Sequence, residues 1–88
     1  VRLAGDVRTL GVRERLALLL LQAAEGQDPP TVFATHETLA MELCSAREVV
    51  SRHLSELAQD GAVELFRGRI VIADASSLLS TVKSSKSV

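Results

Sequence analysis

Two helical patterns joined by a very short connection occupy the middle of the chain. Apolar residues recur at the spacing of one helix face in residues 36–43 and again in residues 46–60. These residues are Leu39, Ala40, Leu43, Val50, Leu54 and Leu57. A helix as short as the first is not stable alone in water, so it must be held against a neighbour. Two helices with so tight a connection predict a helix-turn-helix.

The residues at the ends of these helices support the same interpretation. Thr35 is placed to cap the first helix, because its hydroxyl can accept a free backbone amide. Ser45 and Glu48 have the spacing of a capping box, which would open the second helix. Gly61 follows that helix and predicts its C-terminal stop.

The flanking segments predict a domain that is mainly α-helical, with a small antiparallel β wing. We expect a helix over residues 12–24, a brief strand over 31–34, and a last short helix over 75–79 that Asp74 caps. Residues 62–66 and 69–73 are prone to form β-strands on either side of Arg67-Gly68, which predicts a hairpin. A hairpin after a helix-turn-helix makes the winged version of that fold.

The chain of 88 residues has the length of one domain, and 47% of its residues are hydrophobic. These values exclude a disordered tail, a collagen-like fibre and a disulfide-rich mini-protein. We expect residues 11–80 to form the winged domain and residues 81–88 to form a frayed tail. Residues 1–10 are expected to be the remnant of a preceding helix or a hinge. The chain begins with Val1, so we expect it to be cut from a longer protein.

Cysteine content and hydropathy indicate a cytoplasmic location. Cys44 is the single cysteine and cannot form an internal disulfide, which is compatible with a reducing cytosol. The apolar run from Leu16 to Leu21 is far shorter than the roughly 20 residues of a membrane span. No signal peptide is recognisable at the start, and no membrane partner is expected.

The outer face of the second helix carries the polar side chains that suggest DNA recognition. Arginine can donate two hydrogen bonds to guanine, glutamate can accept one from cytosine, and a valine can contact a thymine methyl group. The residues expected to read base edges are Arg47, Glu48, Val49, Ser51 and Arg52. The alternative is an ordinary charged surface, with Glu48 serving as the cap partner and Arg52 paired with Glu48 or Glu56.

Four further residues are suited to contacts with DNA phosphates. Arg67 and Arg69 flank a glycine at the tip of the predicted hairpin. Thr35 and His36 can present a hydroxyl, an imidazole and free amides at a helix N-terminus. The alternatives are a solvated turn for the arginines and a plain N-cap for Thr35.

Residues 10–80 resemble the C-terminal DNA-binding domain of the Crp/Fnr family of bacterial transcription regulators. The most telling segment is Arg47-Glu-Val-Val-Ser-Arg52, and the segments Gly11–Leu16 and Gly68–Ile72 also match. The resemblance implies that helix 46–60 is the recognition helix and that Arg47, Glu48, Ser51 and Arg52 read bases. The family usually has glycine where this chain has Cys44, and a small residue is acceptable there if its φ is negative.

The resemblance also implies partners beyond the sequence in hand. Family members have an N-terminal sensor domain that binds an effector, often a cyclic nucleotide, a haem or an iron–sulfur cluster. They dimerise through a long helix and bind a pseudo-palindromic operator in double-stranded DNA. RNA polymerase is a further candidate partner. We expect no cofactor in this fragment, and nothing in the sequence identifies the effector.

Other functions have weaker support. His36, Cys44 and His53 lack the short spacings of a zinc site, so no metal is expected. Cys44 lies near a helix N-terminus, where it is either a redox-sensitive thiol or a small residue filling the turn. No catalytic constellation is recognisable, so no enzyme is expected. The serious alternative is a winged helix used for protein–protein interaction, which would show large apolar residues on the outer face of helix 46–60.

Overall fold

A computed structural model describes the backbone of residues 11–86 and the side chains of residues 11–82. The elements of this part are α1 (Val12–Ala23), β1 (Thr31–Val32), α2 (His36–Leu43), α3 (Arg47–Gln59), β2 (Val63–Phe66), β3 (Arg69–Ile72) and α4 (Ala75–Lys86). This order confirms a winged helix-turn-helix. The helix remnant or hinge predicted for residues 1–10 lies outside the described residues.

The hydrophobic core is built where α1, α2 and α3 meet the small sheet. The apolar residues predicted on the inner faces of α2 and α3 are all buried. The sheet and α4 add Ile70 and Leu78, which are also buried. The inner face of α3 is therefore held against the core, and its opposite face is exposed to solvent.

The three strands form one antiparallel sheet in the order β1-β3-β2. Hairpin residues Phe66 and Arg69 face each other in register beside the turn. Gly68 has a φ of 75°, a left-handed conformation that favours glycine, so the tight turn depends on this residue. The predicted strand at 31–34 is shorter than expected, and it pairs with β3 through Thr31 and Val32.

The C-terminal helix is longer than the sequence predicted. Residues 81–88 were expected to form a frayed tail, but α4 continues to Lys86. Leu78 and Val82 lie one turn apart on the same face of α4, and both are buried. Since α4 packs against α1, tertiary burial stabilises a helix whose serine-rich sequence has little preference of its own.

Candidate nucleic-acid interface

Helix α3 presents a polar face to solvent opposite its buried residues. Arg47, Glu48 and Arg52 are exposed, whereas Val49 and Ser51 are half-buried. Each of these five residues was predicted to read base edges. The structure therefore leaves the three charged side chains free to project from the helix and places the other two closer to its flank.

The start of α3 differs from the predicted capping box. The N-cap residue is Ala46, which offers no side-chain cap, and the helix begins at Arg47. Ser45 instead closes the preceding helix, because its backbone amide donates to the carbonyl of Ala40 at 2.9 Å. The capping box predicted for Ser45 and Glu48 is thus wrong, because no side chain caps the start of α3 and the Ser45 amide is engaged with Ala40.

Cys44 determines the geometry of the turn between α2 and α3. Its φ of 54° and ψ of 46° place it in the left-handed region. The condition of a negative φ, under which a small residue would be acceptable in place of glycine, is therefore not met. The amide of Cys44 donates to the carbonyl of Met41 at 3.2 Å, and together with the bond from Ser45 to Ala40 this forms a Schellman motif. A Schellman motif needs a left-handed residue at this place, which explains both the positive φ and the later start of α3.

An open cleft of about 340 Å³ lies between the N-termini of α2 and α3 and the tip of the wing. Four of the predicted contact residues line it, namely Thr35, His36, Arg47 and Arg67. Thr35 caps α2 as predicted, since its hydroxyl accepts a hydrogen bond from the amide of Thr38 at 3.1 Å. The fold thus gathers residues that are far apart in sequence around one concave surface.

Arg69, the remaining phosphate candidate, does not line this cleft. Its guanidinium carbon lies 4.5 Å from the ring centroid of Phe66, which is the geometry of a cation–π contact. The guanidinium is therefore held on the wing while its residue stays exposed. No role for Phe66 could be predicted from the sequence, because the contact depends on the hairpin register.

A side-chain hydrogen bond links the two helices of the helix-turn-helix. The Nδ1 atom of His36 lies 2.8 Å from the hydroxyl of Ser51. The sequence suggested phosphate contacts for His36 and base contacts for Ser51, but it did not indicate contact between them. The two residues are 15 positions apart, and only the crossing of α2 and α3 brings them together.

Arg52 is free of the ion pairs that the surface-charge alternative requires. The carboxylate of Glu56 instead accepts a hydrogen bond from Arg13 of α1 at 3.0 Å. Arg13 also reaches Asp60 at 3.1 Å, so it joins α1 to the C-terminal half of α3. Among the side chains of residues 11–82, neither Arg52 nor Glu48 takes part in a salt bridge.

Two further observations concern metal-binding clusters and membrane-spanning helices. Within residues 11–82, no three histidine, cysteine or acidic side chains are grouped so that they could hold a metal ion. The helices of the described part are too short or too polar to cross a membrane.

The fold is a winged helix-turn-helix in which α3 presents an exposed polar face. Residues 14–81 match the family of Crp-like helix-turn-helix domains. The chain therefore belongs to this family, whose domains serve DNA-binding transcription regulation.

Solved structures show the same likeness. The chain resembles a CRP/FNR-family transcriptional regulator of Thermus thermophilus, with 28% identity and a TM-score of 0.82 over 96% of this chain and 46% of that one. It also resembles the catabolite activator protein of the same organism, with 31% identity and a TM-score of 0.73 over 84% of this chain and 35% of that one. The chain thus spans less than half the length of these structures. No curated protein matches it in sequence.

Proposed function

We propose that α3 enters the major groove of double-stranded DNA and reads a specific sequence. Arg47, Glu48 and Arg52 would make the hydrogen bonds to base edges, with Ser51 and Val49 in close contact. The observation that carries this proposal is that the charged side chains on the outer face of α3 form no ion pairs within residues 11–82. A structural network uses Arg13 and Glu56 but leaves Arg52 and Glu48 open to a ligand.

The cleft beside α3 is suited to the phosphate backbone. Arg67 on the wing and His36 at the start of α2 both line it, with Arg47 at the start of α3. Phosphate contacts from the elements around a recognition helix fix its orientation in the groove. Thr35 and the free amides of α2 would add to this site, and Arg69 would contact the backbone from the wing.

The distribution of exposed apolar residues argues against a protein-binding role for α3. The large exposed apolar side chains of the described part are Phe33, Met41, Phe66 and Leu79, and none belongs to α3. A protein-docking helix would carry such residues at its centre. The protein-interaction alternative therefore lacks the feature that would favour it.

For the protein as a whole, we propose a cytoplasmic transcription regulator that is not an enzyme. The chain would act beside a separate sensor domain and as one half of a homodimer on a pseudo-palindromic operator. This arrangement follows the Crp/Fnr resemblance, in which two recognition helices lie about one DNA turn apart. RNA polymerase is a proposed partner on the same ground.

The proposal can be tested by selecting duplexes from a randomised library and measuring the affinity of the chain for them. Fluorescence anisotropy would then compare a selected duplex with a scrambled duplex of the same composition at several salt concentrations. We expect salt-sensitive binding that prefers the selected duplex. Equal affinity for both would limit the chain to backbone binding, and no binding at low salt would overturn the proposal.

A further inference from the structure

The hydrogen bond between His36 and Ser51 joins a proposed phosphate contact to a proposed base contact. His36 is half-buried at the first position of α2, and Ser51 is half-buried in the second turn of α3. Their separation of 2.8 Å is that of a well-formed hydrogen bond. It is the only side-chain hydrogen bond between α2 and α3 among residues 11–82.

We propose that His36 sets which base Ser51 selects, by fixing the direction of the serine hydroxyl proton. This inference rests on the proposed function, because it requires Ser51 to face a base edge. A hydroxyl has one proton to donate and lone pairs that accept, whereas a neutral imidazole donates from one nitrogen and accepts at the other. The polarity of the bond therefore decides what Ser51 can offer to DNA.

The phosphate contact selects the polarity. His36 lines the cleft, and its Nδ1 atom is already occupied by Ser51, so Nε2 is the nitrogen left for a phosphate oxygen. A phosphate oxygen only accepts, so in the neutral ring Nε2 carries the proton. Nδ1 of that tautomer is an acceptor, and the hydroxyl of Ser51 donates its proton to it. A doubly protonated ring would donate from Nδ1 instead and leave the serine proton free, so the inferred polarity belongs to the neutral ring.

A serine that donates to His36 has only lone pairs left for the groove. It can accept from an amino group, which adenine and cytosine present in the major groove, but it cannot donate to the oxygens of guanine or thymine. His36 thus acts as a positioning residue for specificity. At the base that Ser51 contacts, we expect adenine or cytosine to be preferred over guanine or thymine.

A double-mutant cycle on the full chain tests this coupling. Affinities of the parent, His36→Ala, Ser51→Ala and the double variant would be measured for selected duplexes and for every single-base-pair substitution of them. We expect Ser51→Ala to lower the preference for adenine or cytosine at one position by about threefold to tenfold, the range of one neutral hydrogen bond. His36→Ala should lower the same preference and should also weaken binding to all duplexes.

The two effects of His36 separate in the double variant. In the Ser51→Ala background, His36→Ala should still weaken binding to every duplex but should no longer change the preference at that position. His36→Gln should restore the preference, because its carbonyl can accept from Ser51 while its amide donates to a phosphate. Unchanged far-UV circular dichroism would show that each variant is folded.

Two control variants distinguish an effect of the His36–Ser51 hydrogen bond on base preference from a general loss of DNA affinity. Ser55→Ala removes an exposed hydroxyl one turn further along α3 and should leave the preference unchanged. Arg67→Ala removes a charge from the same cleft and should weaken all duplexes equally.

Three results would overturn the inference while leaving sequence-specific binding intact. The first is a preference for adenine or cytosine at the Ser51 position that persists in His36→Ala. The second is a preference for guanine or thymine at that position in the parent chain. The third is that His36→Ala and Ser51→Ala change the base preference independently of each other. A parent chain with no preference for any duplex would instead refute the proposed function on which the inference rests.

Discussion

Arg52 is the residue on which base reading is tested most directly, because its guanidinium is exposed and has no salt bridge among residues 11–82. We expect Arg52→Ala to weaken binding to a selected duplex by about 1–3 kcal/mol and to relax discrimination at one base pair. Binding to scrambled duplexes should change much less. Anisotropy titrations on both duplexes measure the difference, and an equal loss on both would remove Arg52 from the base-reading set.

Cys44 has a left-handed backbone conformation, which is unfavourable for a residue that carries a Cβ. A left-handed conformation costs a residue with a Cβ about 1–2 kcal/mol, and glycine avoids this cost but loses more backbone entropy on folding. We therefore expect Cys44→Gly to raise the free energy of unfolding by about 0.5–1 kcal/mol. Urea denaturation would measure the change.

Cys44→Ala is the control for this substitution, because it removes the thiol but keeps the Cβ. Its free energy of unfolding should stay within about 0.5 kcal/mol of the parent, as for other exposed sites. A glycine variant no more stable than the alanine variant would show that the turn is not strained at Cys44.

At the scale of elements, α4 is stabilised by its contact with α1 rather than by its own sequence. Val82 lies in the part of the chain that was expected to fray, yet its side chain is buried. We expect Val82→Ala to lower the free energy of unfolding by about 1–2 kcal/mol, from the apolar groups removed. Ser80→Ala, at an exposed position of the same helix, should change it by less than about 0.5 kcal/mol.

The same denaturation experiments decide whether α4 is an integral element. If Val82→Ala and Ser80→Ala had equal and small effects, the C-terminal turns would not contribute to the cooperative fold.

The start of α4 depends on local sequence, since the carboxylate of Asp74 accepts a hydrogen bond from the amide of Ser76 at 3.1 Å, as predicted.

At the scale of the whole molecule, DNA affinity must come from local placement of charge, because the net charge of the chain is −1. The cleft and the wing concentrate arginines on one side, where they can replace counterions on phosphates. We expect Arg67→Ala and Arg69→Ala each to reduce the slope of log affinity against log salt by about one. Each should weaken selected and scrambled duplexes alike.

These slopes come from titrations over a series of salt concentrations. Arg13→Ala is a suitable comparison, because its guanidinium is engaged with Glu56 and Asp60 in the fold. That substitution should leave the slope unchanged. A slope unaltered by both wing substitutions would exclude the wing from the phosphate contacts.

The order of elements and the inner faces of α2 and α3 were predictable from the sequence. Helix periodicity depends on residues three and four positions apart, so Val50 and Leu54 mark the buried side without knowledge of the fold. The cap at Thr35 and the stop at Gly61 are equally local, and the structure confirms both. The candidate contact residues are exposed or partly exposed in the structure, and their contacts with DNA stay predictions.

Interactions between distant residues decided the rest. The local spacing predicted Ser45 as the N-cap of α3. In the structure, its backbone amide instead donates to Ala40 in the Schellman motif that ends α2. The serine-rich composition predicted a helix over residues 75–79, but α4 packs against α1 and continues to Lys86. The contact of His36 with Ser51, and of Arg13 with Glu56, follows from how helices cross. Periodicity and capping are local properties that a sequence carries by itself, whereas pairs of side chains from different elements meet only when the core has fixed the elements against one another.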